Sequence, residues 1–229
     1  MTKSGETTRI RYDEGCLAAH ALNLIGDRWA LLVVRELFFA PKRFQLIRAG
    51  LPGVTASVLT ARLAQLREAG VLIHDATQGL YALRDSGRAL LPVLEALCRW
   101  ALLMPGHDHK RFISPSALMI SMGVNLTRDP IGTAAPRAGF DFGAERFTMQ
   151  VDHPQVATRA TAQPDAPFLL KGSGNAMAIA VYGPTPVAQL AAQRVIAAEG
   201  DLAAAQDFVD LFRLEAHAAP ATSTRAEFG

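Results

Sequence analysis

Cysteine is scarce in this sequence, which contains only Cys16 and Cys98 among 229 residues. Two cysteines do not make the disulfide framework of a small secreted protein, so we expect a reducing compartment. The chain also lacks the run of about 18 apolar residues that a membrane helix needs. Its polar start, MTKSGETTRIRYDEG, has no apolar signal-peptide core. We therefore expect a cytoplasmic protein with no membrane partner.

Catalytic and metal-binding patterns are missing as well. The sequence has no phosphate-binding loop, no dinucleotide-binding glycine motif and no Ser-His-Asp pattern that can be placed. Cys16 and His20 have the spacing of one helix face, and His107, Asp108 and His109 are adjacent. Neither set supplies three or four convincing metal ligands. The sequence therefore predicts no enzyme, no cofactor and no metal site.

Basic residues exceed acidic ones in the first half of the chain only. Residues 1–104 contain 13 Lys and Arg against 9 Asp and Glu, and residues 105–229 contain 10 against 12. This asymmetry favours an anionic partner for the first half. The length suits two domains, and a polar, turn-forming stretch begins at Pro105. We predict an N-terminal domain over 1–104, a linker over 105–112 and a C-terminal domain over 113–229.

The first domain contains a short helix, a compact turn and a longer capped helix. A helix over 43–49 and a Gly- and Pro-rich turn over 50–53 precede a helix that begins at the N-cap Thr55 and ends before Gly70. Apolar residues at every third or fourth position predict its buried stripe, at Leu59, Leu63 and Leu66. Its small, polar outer face suits a major groove or an ordinary protein surface. The three features together favour a helix-turn-helix.

Further elements surround this motif. Helices over 17–25 and 28–39 precede it, and a hairpin with strands over 71–74 and 81–83 follows it as a wing. A last helix is predicted to begin at a cap on Asp85 or Ser86 and to run to about Met104. Its apolar positions exceed what a small domain buries, at Leu90, Leu94, Leu97 and Trp100. We interpret this surplus, with the helix over 17–25, as a homodimer interface.

Residues 14–103 resemble the HxlR-type winged-helix regulators. The matching pieces are Cys16, Leu24-Ile25-Gly26-Asp27-Arg28-Trp29, Arg43-Phe44, Leu59-Thr60-Ala61-Arg62-Leu63, Gly70, Tyr81-Ala82-Leu83 and Gly87-Arg88. The resemblance implies a dimer that binds operator double-stranded DNA and represses or activates nearby genes. It also implies, for many members, a response to electrophiles, oxidants or small metabolites. We expect a transcriptional regulator, and a repressor in particular.

DNA presents two surfaces to a protein, the phosphate backbone and the edges of the bases, and we predict contacts to each. Cations bind phosphates, and we predict Lys42 and Arg43 first, then Arg62, Arg67 and Arg84, although each is as readily a solvated surface charge. Base contacts are predicted for Thr55, Ser57, Val58, Ala61 and Gln65, with Arg62 at the edge. The wing departs from the family, because residues 75–79 contain no Lys or Arg and Arg84 stands where the family often has Thr.

Cys16 matches a position that some relatives use as a redox switch. Such a thiol needs a lowered pKa and access to solvent. A helix N-terminus favours the thiolate, whereas Asp13 and Glu14 oppose it. Packing of a small buried side chain is the competing interpretation. The chain also departs from the family's usual Cys-Pro here, because Leu17 follows Cys16.

The C-terminal half predicts an α+β domain with a helix over 114–125 and strands between 140 and 199. Its order resembles the sterol-carrier-protein fold, a sheet covered by helices, best over 171–174, 200–202 and 208–212. The resemblance implies a pocket for an apolar small-molecule effector, and a module that only packs or dimerises is the alternative. Pocket candidates, for which core packing is the competing role, are Phe140, Phe142, Phe147, Met149, Phe168 and Met177.

Two functions remain open from the sequence. The first is a DNA-binding repressor whose affinity is tuned by an effector in the second domain. The second is a lipid or small-molecule carrier whose winged helix serves only dimerisation. Salt-dependent, sequence-specific DNA binding separates them, because a carrier needs no phosphate contacts.

Overall fold

The computed structural model describes residues 11–130 and 135–214, so the predicted domain ends at residues 1 and 229 lie outside the described residues. An N-terminal part (residues 11–104) and a C-terminal part (residues 113–130 and 135–214) each enclose an apolar core. The N-terminal part consists, in chain order, of α1 (Leu17–Ile25), α2 (Ala30–Leu37), β1 (Lys42–Arg43), α3 (Phe44–Ala49), α4 (Ala56–Glu68), β2 (Leu72–Asp75), β3 (Leu80–Leu83), α5 (Asp85–Arg88) and α6 (Leu91–Leu102).

Helix α4 has the cap and the buried stripe that its sequence predicts. The Thr55 hydroxyl accepts a hydrogen bond from the backbone N–H of Val58 at 3.3 Å. Three leucines on the inner face are buried, namely Leu59, Leu63 and Leu66. Helix α2 begins at Ala30 rather than at residue 28. The Asp27 carboxylate accepts from the Trp29 N–H at 2.9 Å, a local bond that competes with the helix over these two residues.

The wing is a three-stranded sheet in the order β1-β3-β2. Strands β2 and β3 form the predicted antiparallel hairpin. Strand β1 was not predicted, because two residues carry no periodic signal and pair only through β3. At the tip, the Asp75 carboxylate accepts from the backbone N–H groups of Thr77 and Gln78. Gly79 completes the turn with a φ of 66°.

The last helix of the N-terminal part is divided in two, where the sequence predicted one. Arg84 is the N-cap of α5 and makes no capping bond through its side chain. The predicted cap Ser86 instead donates its hydroxyl hydrogen bond to the Gly70 carbonyl at 2.6 Å, and Asp85 lies in the first turn. Pro92 lies in the first turn of α6, where its missing N–H costs nothing, so a new helix starts there.

The C-terminal part is a mixed sheet packed against helices. Its elements are α7 (Pro115–Val124), β4 (Arg137–Asp141), β5 (Arg146–Asp152), β6 (Gln155–Ala160), β7 (Phe168–Lys171), α8 (Gly174–Tyr182), α9 (Val187–Ala192), β8 (Ala197–Gly200) and α10 (Leu202–Val209). The strand order is β6-β5-β4-β7-β8, with β4 and β7 parallel and the other neighbours antiparallel. Side chains of the sheet and of all four helices form one core. This confirms the predicted α+β class.

The two parts pack against each other through α7. Ile120 on α7 is buried in the core of the N-terminal part. The Phe39 ring contacts the Phe147 ring edge to face, with centroids 5.5 Å apart. The stretch over 105–112 between the parts contains no helix or strand. No single helix among the described residues is long and apolar enough to cross a membrane, whereas α1 and α2 pass that test only as a pair bent by 74°.

Candidate nucleic-acid interface

The N-terminal half of α4 presents an exposed surface of short side chains. Thr55, Ser57, Val58 and Ala61 are all exposed there. The hydroxyls of Thr55 and Ser57 lie 3.1 Å apart and hydrogen-bond to each other. Because these side chains are short, the helix backbone can approach a flat or grooved partner closely. Two hydroxyls and two small apolar groups can respectively bond base edges and touch a thymine methyl.

Arg62 and Gln65 are engaged elsewhere, although the sequence predicted DNA contacts for both. The Arg62 guanidinium donates to the Gln65 side-chain oxygen, and its Nε lies 3.1 Å from an Asp27 carboxylate oxygen. The Gln65 amide nitrogen donates to the Leu24 carbonyl at 2.7 Å. Both side chains therefore brace α4 against the end of α1 and the turn that follows. This contact also gives Asp27 a structural role that the sequence did not indicate.

Two of the predicted phosphate-binding arginines lie on the surface near the motif. Arg43 is exposed and is the N-cap residue of α3. Arg84 is exposed immediately after β3. Since Arg43 pairs with Leu80 at the start of β3, the two arginines lie towards opposite ends of this strand. Arg67, near the end of α4, is also exposed.

Lys42 does not lie on this surface, and its predicted phosphate contact does not fit the structure. Its side chain is 2% exposed. The Lys42 ammonium lies 2.5 Å from Glu145, 3.4 Å from Glu36 and 3.0 Å from the Ser116 hydroxyl. Adjacent residues of a strand point to opposite faces, so Lys42 is turned inward where Arg43 is turned outward. Two of its partners belong to the C-terminal part, which no local pattern could reveal.

Glu36 is the centre of the buried polar network around Lys42. Its carboxylate accepts from the Arg35 guanidinium at 2.8 Å and from the Ser114 hydroxyl at 2.6 Å. Arg35 also donates to the Gly50 carbonyl at 3.1 Å. Burial raises the pKa of Glu145, an effect that the nearby Lys42 opposes. The network joins α2, β1 and the turn after α3 to the C-terminal part.

A cleft of about 660 Å³ lies beside this network, between the two parts. Its walls are mainly apolar and include Trp29, Leu32 and Leu94 on one side and Ile113, Ala178 and Tyr182 on the other. None of the six predicted pocket residues lines it. Of those six, Phe142 is half-buried and the other five are buried in the core of the C-terminal part. Their rings make edge contacts such as Phe168 on Phe208, which fits the core-packing alternative.

Comparison with known proteins assigns the N-terminal part. The model of the HxlR-like helix-turn-helix family matches residues 24–107. The uncharacterized HTH-type transcriptional regulator YvaP of Bacillus subtilis is 35% identical over 86 residues, which cover 35% of this chain and 80% of YvaP. This chain belongs to the HxlR-like family. A second relative, the uncharacterized HTH-type transcriptional regulator sll1512 of Synechocystis, is 34% identical over 102 residues, covering 42% of this chain and 76% of that protein.

The relatives of this HxlR-like protein are transcriptional regulators and not enzymes, which confirms the prediction of a DNA-binding regulator. Among solved structures, quinone-bound YodB from B. subtilis shares 30% identity, with a TM-score of 0.34, over 37% of this chain and 93% of that one. The putative transcription factor PA1607 shares 31% identity, with a TM-score of 0.40, over 58% of this chain and 87% of that one. The family match leaves residues 108–229 unassigned.

The two cysteines of this HxlR-like protein differ in their surroundings. Cys16 is exposed as the N-cap residue of α1, which does not fit the packing interpretation. The backbone N–H groups of Ala19 and Ala18 lower the pKa of its thiol. Cys98 is half-buried at the cleft, and burial raises the pKa of its thiol. A redox role for Cys16 stays a prediction.

Proposed function

We propose that this HxlR-like protein is a homodimeric repressor that binds operator DNA through the N-terminal half of α4. The observation that carries the proposal is the exposed face of short side chains on α4, in a motif that also exposes Arg43 at the start of α3 and Arg84 after β3. A helix with such a face enters a major groove about 12 Å wide without steric conflict. The arginines beside it meet the phosphates that border the groove.

The base contacts fall to the four exposed residues of this face, Thr55, Ser57, Val58 and Ala61. Arg62 and Gln65 attach α4 to the end of α1 and the turn that follows. They affect DNA binding only through the position of α4. Arg43 and Arg84 supply sequence-independent affinity, with Arg67 as a further cation. Lys42 is left out of the DNA contacts because it is buried.

Exposed apolar side chains on α1 and α6 support the homodimer. Leu17 is 86% exposed and Trp100 is 58% exposed, and Leu22, Val93 and Leu97 are exposed beside them in sequence. A contiguous patch of exposed apolar side chains marks an interaction site, and we infer that these residues form one. A two-fold pair of winged helices places two recognition helices on half-sites about 34–36 Å apart.

The C-terminal part is proposed as an effector domain of the sterol-carrier-protein type, divided from the DNA-binding domain at residues 105–112. Its sheet with helices packed against it supports that likeness. An effector that binds one state of the protein better than the other shifts its DNA affinity by the difference in binding free energy. Repression that is released by an apolar small molecule is the simplest scheme of this kind.

Fluorescence anisotropy tests the DNA-binding proposal. We expect tighter binding to the DNA upstream of the protein's own gene than to a scrambled duplex, and weaker binding at higher salt. The slope of log affinity against log salt is negative, and each lost phosphate contact reduces its magnitude by about 0.9. Arg43→Ala is therefore expected to flatten the slope, while Arg159→Ala, an exposed arginine of β6, serves as the control. Salt-independent binding, or equal effects of both variants, would contradict the proposal.

A further inference from the structure

We propose that the effector site is the cleft between the two parts, and that its ligand is an uncharged, mainly apolar small molecule. This inference rests on the proposed function for the ligand's regulatory effect, but the binding site itself does not depend on DNA. A volume of about 660 Å³ is within the roughly 300–1,000 Å³ of small-molecule sites, which also occur preferentially between domains. The site is therefore distinct from the aromatic core of the C-terminal part.

The charges around the cleft argue for an uncharged ligand. Arg35 is already paired with the buried Glu36 at 2.8 Å. Arg111 and Asp108 form an exposed pair at 3.4 Å, on a solvent-exposed part of the cleft wall that also carries His107 and His109. Inside the cleft, an anionic ligand would have to compete with Glu36 for Arg35 or lose its hydration without a counter-charge. Apolar side chains supplied by both parts, such as Trp29 and Ile113, instead favour a ligand that buries carbon surface.

Two neutral hydroxyl groups of the cleft lie close together. The Ser121 and Tyr182 hydroxyls lie 3.0 Å apart and hydrogen-bond to each other. Burial raises the pKa of Tyr182 to about 12, so its phenol stays protonated at neutral pH. One hydroxyl or carbonyl group on the ligand can exchange bonds with this pair, which orients an otherwise apolar molecule.

The cleft shares residues with the network that holds the helix-turn-helix. Arg35, Gly50 and Ser114 line the cleft. The same three residues contact Glu36 or its partner Arg35, and Glu36 in turn holds Lys42 at the start of the motif. A ligand that moves any of them shifts the packing around α3, and with it the position of α4. The cleft and the helix-turn-helix are therefore connected by residues in direct contact.

Binding of N-phenyl-1-naphthylamine, an uncharged apolar fluorophore, to the full chain tests the site. In a Trp100→Phe background, Trp29 is the sole tryptophan. We expect saturable binding with energy transfer from Trp29 to the probe. Ala178→Phe and Pro52→Phe, from opposite walls, are expected to weaken binding by about tenfold or more, a loss of about 1.4 kcal/mol. The matched control is Ile179→Phe, on the same helix but exposed outside the cleft.

Thermal unfolding of each variant verifies that it is folded, and the two walls give independent substitutions. Equal probe binding by Ala178→Phe, Pro52→Phe and Ile179→Phe would overturn the site, as would binding without energy transfer from Trp29. Binding that appears only after deletion of residues 215–229 would assign the cleft to the chain's own end and overturn a ligand site.

A second step separates this inference from the proposed function. Saturating probe is expected to change the DNA affinity of the wild-type protein by about fivefold or more, and not that of Ala178→Phe. Failure of all DNA binding would remove the proposed function while leaving the probe measurement valid. A DNA effect of the same size in Ala178→Phe would overturn regulation through the cleft.

Discussion

Lys42 and Arg43 are adjacent and carry the same charge, but they have opposite surroundings. Lys42 is enclosed by Glu36 and Glu145, while Arg43 is exposed beside the helix-turn-helix. The sequence predicted the same role for both, because two of the partners of Lys42, Ser116 and Glu145, are distant in the sequence. At the scale of single residues, the alternating side-chain directions of a short strand, and not the residue type, decide which of the two cations can contact DNA.

Glycine is required at position 50 because the Glu36 carboxylate of the same network lies very close to it. A Cβ atom on Gly50 would lie 2.2 Å from a Glu36 carboxylate oxygen that is itself buried. Gly50→Ala is therefore expected to lower the free energy of unfolding by about 1–3 kcal/mol, as overpacking does. Urea denaturation measures the change.

Gly123→Ala is the matched control for this substitution. Gly123 lies in α7, and nothing approaches within 4 Å of the position of its Cβ atom. The control is expected to gain about 0.4–1 kcal/mol, because alanine restricts the unfolded chain. A Gly50→Ala protein as stable as the wild type would show that Glu36 is not packed against this turn.

The two thiols are expected to react at different rates. Backbone N–H groups lower the pKa of Cys16, whereas burial raises the pKa of Cys98. Between these two pKa values Cys16 is a thiolate and Cys98 a protonated thiol, and the thiolate is the nucleophile. Iodoacetamide labelling followed by mass spectrometry should therefore modify Cys16 first. Labelling of Cys98 at an equal or greater rate would contradict this assignment.

Local sequence signals predicted most helices but not the breaks between them. The bounds of α1 agree with the prediction, and Thr55 and Leu59 have their predicted roles in α4, because caps and periodic leucines act within one helix. Strand β1 and the division between α5 and α6 were missed, since one depends on pairing with β3 and the other on a single proline. The pairing of Arg62 with Asp27 was also not predicted, because Asp27 lies outside α4, in the turn after α1.

Helix α6 carries the apolar surface that we assign to the dimer. Trp100→Glu is expected to shift the protein from dimer to monomer, because a carboxylate placed in an apolar interface loses its hydration. Sedimentation velocity measures the change. The control is Val195→Glu, an exposed apolar residue of the C-terminal part that lies before β8. A Trp100→Glu protein that remains dimeric, or a monomeric wild type, would exclude this interface.

At the scale of the whole molecule, the Glu36–Lys42–Glu145 network joins the DNA-binding part to the C-terminal part. A buried charge without its partner costs more than the pair itself contributes. Removal of Lys42 leaves the buried Glu36 carboxylate with Arg35 as its cation, and leaves the half-buried Glu145 carboxylate without its partner in this network. We therefore expect the two parts to pack correctly only when the charges of this network are paired.

Lys42→Met is expected to lower the free energy of unfolding by about 3–5 kcal/mol. The double variant Lys42→Met with Glu145→Gln should recover part of that loss, because one uncompensated charge is gone. Arg43→Met is the control next to it in sequence, with an expected change within about 0.5 kcal/mol. Urea denaturation followed by circular dichroism measures all three. Equal losses for Lys42→Met and Arg43→Met would contradict the burial of Lys42.

The exposed face of α4 is proposed to recognise DNA sequence in a symmetric dimer. Selection of bound duplexes from a random pool tests it most directly. The wild-type protein is expected to enrich a two-fold symmetric site, and Val58→Asn to change the preferred bases in both half-sites by about 1–3 kcal/mol per position. Glu68→Gln, an exposed residue at the end of the same helix, should leave the preference unchanged. Enrichment of no sequence, or a preference that Val58→Asn does not alter, would contradict the account.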